Sequence, residues 1–427
     1  MSEVLLLRGG VVVDRSGERR ADVVVRDGVV AAVGPDVATG VAGTELDCSG
    51  AYVMPGFVDL FSGVGEPADP SVETIESATR AAALAGCTAV LVGVDPSAPL
   101  DSPAALHHLR ALAAGASCAV VPSAALTMGA AGERLVPMAQ LADLGVRVFG
   151  DPGGVADPTM LRRAMAYAAD LGVVVALDPV DPVLAGGGHL HEGPWSSLLG
   201  IAGIPAEAEE LGVGRALALA LRTGVRLHLR RLSTAASLGM VAAARRAGLD
   251  LTAEVTAAHA LFVDADCAAF DPAFKLEPPL RPAADRDAVA AALRSGVVDA
   301  LVSGHVPASA MAKNVPFAEA TFGAATLPWY SATAFSPVEC PPARAVALLA
   351  EGPARIADLT DRQGGPVVAG RPANLTVFDP EAVWAAGPET AVSRTATTPF
   401  AGRTLRGRAR HTLVDGTAVV ICSEAQQ

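Results

Sequence analysis

The chain has 427 residues, 51% of them hydrophobic, which is enough for one large domain plus a small one. Its formal net charge of −13 argues against a nucleic-acid partner, because phosphate binding needs clustered Lys and Arg. No uninterrupted run of about 18 apolar residues occurs, and the first ten residues have neither a basic start nor a long apolar core. No membrane partner, membrane span or signal peptide is therefore expected. The six cysteines, Cys48, Cys87, Cys118, Cys267, Cys340 and Cys422, are scattered without a CxxC pair. They read as reduced thiols of a cytoplasmic protein.

The first 50 residues alternate short β-rich runs (4–7, 11–13, 22–25 and 29–33) with turns, and predict a β-meander with Asp27-Gly28 as a hairpin turn. From about residue 55 the pattern changes to β-branched runs alternating with alanine-rich helical stretches. Helices are predicted near 71–85, 158–171, 206–223, 235–247 and 285–295. Strands are predicted at 89–93, 146–149, 173–177, 226–229, 251–255 and 300–303. The Asp- and Pro-rich stretch 94–103 reads as an ordinary turn. Segments 374–378, 404–406 and 411–414 are strand-like again, followed by a second hairpin turn at Asp415-Gly416 and the run 417–421. The expected fold class is α/β: a (β/α)8, TIM-like barrel over 55–365, with a small β-sandwich domain built from 1–54 and 366–427.

Several motifs carry a more specific signal. Met54-Pro-Gly-Phe-Val-Asp59 marks the junction into the first barrel strand. Leu184-Ala-Gly-Gly-Gly188, Gly203-Ile-Pro-Ala-Glu-Ala-Glu-Glu210, Ser233-Thr234-Ala235 and Thr252-Ala-Glu-Val-Thr256 follow in order. Lys275-Leu-Glu-Pro-Pro-Leu-Arg281, Val315-Pro-Phe-Ala-Glu-Ala320, Pro353-Ala-Arg355, Gly370-Arg-Pro-Ala-Asn-Leu-Thr-Val-Phe-Asp379 and Thr398-Pro-Phe400 complete the series. The ordered set covers nearly the whole chain. It resembles the dihydroorotases of the amidohydrolase superfamily, of the bacterial type that also resembles allantoinases.

That resemblance implies zinc chemistry, in which a bound metal activates water against a cyclic amide. It also shows what this chain lacks. Phe61 and Gly63 stand where the family has His-x-His at the end of strand one, and Gly65 stands for its substrate-binding Arg; Glu66-Pro67 keeps the register. Asp151 keeps the next ligand position. Asp178 and Arg231 replace two ligand histidines, Gly304 replaces the catalytic Asp, and Glu277 replaces the substrate-binding Asn. His305, beside Gly304, reads as structural. So do His228 and His259, and His189 and His191 read as loop residues. No zinc cofactor and no dihydroorotate hydrolysis are expected, since hydroxide generation needs several converging ligands. A buried Arg231 must find a carboxylate, and is expected to pair with Asp151 or Asp178.

Some bacteria carry catalytically dead dihydroorotase-like chains that bind aspartate transcarbamoylase, and this sequence resembles those in what it has lost. The resemblance implies a pseudoenzyme of pyrimidine biosynthesis that assembles with the aspartate transcarbamoylase catalytic chain, as a homo- or hetero-oligomer. The alternative is a divergent cyclic amidohydrolase using an acidic cluster of Asp151, Asp178, Asp181 and Glu277 at one barrel mouth, with an altered or absent metal. A sensor for dihydroorotate or carbamoyl aspartate ranks below both, because Gly65 and Glu277 remove the groups that would hold a carboxylate.

Overall fold

The structure, a computed structural model, describes residues 4–336, 338–387, 390 and 392–426. Eight parallel strands lie side by side in chain order: Phe57–Ser62, Cys87–Val92, Ala119–Ala124, Val148–Phe149, Val174–Leu177, Arg226–Leu229, Leu251–Thr256 and Ala300–Val302. We number them one to eight. The ring nearly closes between strands eight and one. Ser62 and His305 form a parallel bridge, and the Gly63 N–H donates to the His305 carbonyl at 2.7 Å. Asp59 reinforces the seam by accepting from the Ser303 N–H at 2.8 Å and its hydroxyl at 2.6 Å. The fold is a TIM-like barrel.

The helices around it form where apolar residues recur at helical spacing. Helix Pro158–Leu171 buries Leu161, Ala164, Met165 and Ala168 against the sheet. Asp157 caps its first turn and Gly172 ends it in the left-handed conformation. Helices Ala206–Thr223 and Ala235–Arg246 flank strand six by the same logic. The third strand, Ala119–Ala124, and the helix before it, Pro103–Leu112, are absent from the sequence-based expectation. That strand contains Pro122 and Ser123, which break its β-branched run.

The terminal segments pack as two sheets. One has four strands, Val4–Arg8, Asp22–Arg26, Val29–Gly34 and Thr44–Asp47. The other has seven and mixes both chain ends: Val11–Asp14, Gly17–Arg20 and Tyr52–Pro55 join Leu375–Ala385, Thr404–Val414, Thr417–Ile421 and Glu424–Ala425. Leu5, Leu7, Val23 and Val25 from the first meet Val12, Val53, Leu375, Val377 and Leu413 from the second. The N-terminal half is therefore not a meander. Its strands alternate between sheets, because Val4–Arg8 pairs parallel with Thr44–Asp47 and Val11–Asp14 pairs parallel with Tyr52–Pro55. Segments 404–406 and 411–414, expected as separate strands, belong to one continuous strand. Asp27-Gly28 and Asp415-Gly416 do turn hairpins, with positive φ at both residues of each. Among the described residues no helix is long and apolar enough to cross a membrane.

Candidate functional site

The residues singled out in the sequence lie at or just beyond the C-terminal ends of the barrel strands. Their centre is Arg231, which follows strand six. Only 8% exposed, it donates from Nε to Asp178 Oδ1 at 2.8 Å, with Nη2 2.7 Å from the same oxygen. Nη1 donates to the Glu277 carbonyl at 2.5 Å. Its guanidinium carbon sits 4.3 Å from the centroid of the Phe61 ring. Burial opposes this charge, but Asp178 and then Glu277 outweigh burial and hold the Arg231 pKa above its usual value. Phe61, Asp178 and Arg231 thus fill the centre of the barrel mouth with an ion pair stacked on an aromatic face.

The remaining positions do not complete a metal site. Asp151 is fully buried, and both of its oxygens are used by the neighbouring loop. The Leu126 and Thr127 N–H groups donate to Oδ1 at 2.7 and 3.2 Å, and the Thr127 hydroxyl donates to Oδ2 at 2.5 Å. Burial pushes its pKa up. Gly63 packs against the His305 backbone. Gly304 has a φ of +63°, and a Cβ there would lie 2.9 Å from Thr256 Cγ2. Gly65 has a φ of +68°, and a Cβ there would run into the Glu73 carbonyl. The loop after strand one has closed around the absence of a side chain. Both lysines of the chain, Lys275 and Lys313, are buried and hold backbone carbonyls, Lys275 those of Phe317 and Ala318 and Lys313 that of Pro272. Neither is placed to supply a bridging ligand.

The acidic cluster expected from the sequence does not exist as a cluster. Asp178 is bound to Arg231, Asp151 faces the 126–127 loop, Asp181 caps the helix Pro182–Ala185, and Glu277 is exposed. Among the described residues no three His, Cys, Asp or Glu side chains converge as metal ligands. The residues present do not fit a zinc ion. They offer two committed carboxylates, Asp151 and Asp178, and a guanidinium that repels cations.

The histidines are built into the scaffold. His228 lies in strand six between Thr252 Oγ1 at 2.9 Å and Glu254 Oε2 at 3.0 Å. His305 Nδ1 accepts from the Thr326 N–H at 3.1 Å, and its Nε2 faces the buried Glu73 carboxylate at 3.5 Å. His259 sits between the Thr256 hydroxyl at 2.7 Å and the Pro278 carbonyl at 2.9 Å. Burial lowers its pKa to about 4, so the ring is neutral at neutral pH. The loop assignment holds for His189 but needs correction for His191. His191 is buried in a two-residue strand with Leu190, and its Nδ1 meets Arg281 Nη1 at 3.1 Å. His189 Nδ1 meets the Lys275 ammonium at 3.2 Å.

Two residues that the sequence reading does not single out matter here. Glu209, in helix Ala206–Thr223, accepts from the Ser233 and Thr234 N–H groups and lies 3.6 Å from Arg281. That pins three of the ordered motifs together. Arg230, next to Arg231, is 3% exposed and reaches across the mouth to Ser123. The adjacent pair Arg230-Arg231 at the end of a β-run is the available signal: two neighbouring guanidiniums there must each find a destination.

A family model described as dihydro-orotase-like matches residues 50–237. The chain is 38% identical to the dihydroorotase of Mycobacterium tuberculosis over 406 residues, covering 93% of this chain and 94% of that one. It is 36% identical to a protein of Pseudomonas aeruginosa named dihydroorotase-like, over 96% of this chain and 98% of the other. Among solved structures, the L-hydantoinase of Arthrobacter aurescens superposes with a TM-score of 0.88 at 21% identity, covering 100% of this chain and 98% of that one; this likeness is one of fold. With its motifs in family order and full-length similarity of this degree, the chain belongs to the dihydroorotase-like family of amidohydrolases.

Proposed function

We propose that this chain is a non-hydrolytic member of the family, with a structural task in pyrimidine biosynthesis as an assembly partner of the aspartate transcarbamoylase catalytic chain. The observation that carries the reading is the Arg231–Asp178 pair stacked on Phe61, where a water-activating metal would need its ligands. The partner rests on the resemblance to non-catalytic chains that bind this enzyme. A barrel with its core and seam intact keeps outer helices that can hold an interface without zinc. Five buried, unpaired cysteines suit a reducing compartment, here the cytoplasm.

The test is size-exclusion chromatography with light scattering. The purified chain is mixed with the transcarbamoylase chain of the same organism, and carbamoyl transfer is measured on the eluted species. A defined larger complex with raised activity is expected. No association at micromolar concentrations would overturn the partnership.

A second reading is favoured by a specific observation: relatives 38% identical over nearly the full length carry the name dihydroorotase. On that reading the chain hydrolyses a cyclic amide with an altered site. Dihydroorotate and hydantoin hydrolysis, assayed with metal analysis of the same preparation, separates the two. Stoichiometric metal with turnover would replace the first reading by the second.

A further inference from the structure

Arg230 and Arg231 are chain neighbours with opposite fates. Arg231 spends its guanidinium on Asp178 and Glu277. Arg230 is only 3% exposed, yet it makes one side-chain hydrogen bond, from Nη2 to Ser123 Oγ at 3.3 Å. Among the described residues no carboxylate oxygen lies within the 4.0 Å of an ion pair with it. A buried guanidinium without a counter-charge is costly, and Ser123 satisfies only a small part of its donor capacity.

Arg230 also lines a small open cleft of about 50 Å³ beside the Arg231–Asp178 pair. Much of the lining is apolar: Pro179, Val180, Ala185, Ile204, Ala208 and Pro278. The other charges on the lining are already committed or exposed. Asp178 is held by Arg231, Glu209 by Ser233, Thr234 and Arg281, and Glu277 is exposed to solvent. What remains on a largely apolar lining is one buried guanidinium, Arg230, without an ion-pair partner, and one solvent-exposed carboxylate, Glu277. That is the arrangement for a small amphiphilic anion, with its carboxylate on a guanidinium edge and its body against aliphatic walls.

We propose that this pocket is a binding site for a small monocarboxylate with a compact apolar body, anchored by Arg230. The pocket borders the positions implied by the family motifs but differs from them in chemistry. Its anchor is neither the Gly65 nor the Glu277 position, and it needs no metal. The site can exist whether the chain holds a transcarbamoylase or hydrolyses a cyclic amide, so its failure leaves both of those readings untouched.

The probes are benzoate and isobutyrate, titrated calorimetrically into the full chain. Benzamide serves as the uncharged control, and inorganic phosphate as an anion without an apolar body. Saturable binding of a carboxylate with a Kd below about 1 mM is expected, with benzamide and phosphate weaker by about tenfold or more. Arg230→Met is expected to weaken the carboxylate by about tenfold or more, as loss of a charge-assisted contact should. Ala185→Phe, on the apolar part of the lining, keeps the cation and narrows the cleft. It should weaken binding to a similar degree, and it keeps the idea testable if Arg230→Met does not fold. Absence of saturable binding at about 10 mM probe overturns the proposal. So does binding left intact by either folded variant, or phosphate binding as tightly as benzoate, which would indicate an adventitious ion only.

Discussion

Arg231 and Asp178 form a buried ion pair, 2.7 Å from Nη2 to Oδ1, at two positions where the family resemblance places metal-binding histidines. The two charges neutralise each other. The pair is 8% exposed on both sides and is covered by the Phe61 ring.

The first prediction concerns the stability of that pair. Arg231→Met leaves Asp178 buried with a charge and no partner, and is expected to cost about 3–5 kcal/mol in denaturant unfolding. The double variant Arg231→Met/Asp178→Leu removes both charges and should recover most of that loss. A single-variant cost under about 1 kcal/mol would mean that water reaches the pair and screens it.

The second concerns reconstruction. Phe61→His, Gly63→His, Asp178→His, Arg231→His and Gly304→Asp introduced together should not yield an efficient dihydroorotase, even with added zinc. An aspartate at position 304 would need a φ of +63° and would press on Thr256, while a Cβ at position 63 would lie 3.0 Å from the His305 carbonyl. The substrate-gripping Arg cannot follow, because Gly65 has no room for a Cβ beside Glu73. Dihydroorotate turnover near that of an ordinary family enzyme would sink this argument.

The third concerns pH. Burial lowers His259 from 6.5 to about 4, so the unfolded chain binds more protons between those values. The stability contributed by the neutral ring is complete above about pH 6.5 and is lost as pH falls towards about 4. Asp59 runs the other way. Burial raises it from 3.8 to about 6 against its hydrogen bonds from Ser303 and Ser62, so its contribution is complete below about pH 4 and is lost as pH rises to about 6. The two oppose each other across one window and flatten the native profile. Asp59→Asn should unmask the histidine, adding a stability loss on the order of 2–3 kcal/mol as pH falls across that window. Thermal melts across that range read the slope directly, and matching slopes in the two proteins would refute the assignment.

The fourth concerns thiols. Cys422 is exposed, while Cys48, Cys87, Cys118, Cys267 and Cys340 are buried. Burial pushes Cys48 and Cys267 up to about 12. A thiol reagent at about pH 8 should therefore react quickly with one group per folded chain and reach all six only in denaturant. Two or more fast groups in the native protein would contradict this packing.

Much of the barrel was legible because helices such as Pro158–Leu171 announce themselves. Leu161, Ala164, Met165 and Ala168 repeat at the spacing that one buried face requires, and Asp157 and Gly172 mark the two ends. The missed strand, Ala119–Ala124, carries a proline and a serine, so its propensity is weak and only its neighbours on both sides make it a strand. The split of the N-terminal strands between two sheets was equally hidden. Two of their pairings are parallel and link segments about 40 residues apart, which no local turn specifies.

At the site, the sequence by itself determined which side chains can ligate a metal. Those of a phenylalanine, three glycines and an arginine do not in any fold, so Phe61, Gly63, Gly65, Gly304 and Arg231 spoke without coordinates. What they do instead was decided only in three dimensions. Asp151, Asp178, Asp181 and Glu277 looked alike as carboxylates along the chain, yet one caps a helix, one is bonded into a loop, one faces solvent and one neutralises Arg231. Arg230 and Arg231 are likewise the same residue type one position apart. Successive residues leaving a barrel strand point in different directions, so one meets Asp178 and the other Ser123. Composition sets which charges must be accommodated; the distance to the nearest opposite charge, and so the chemistry of each, is a property of the folded barrel.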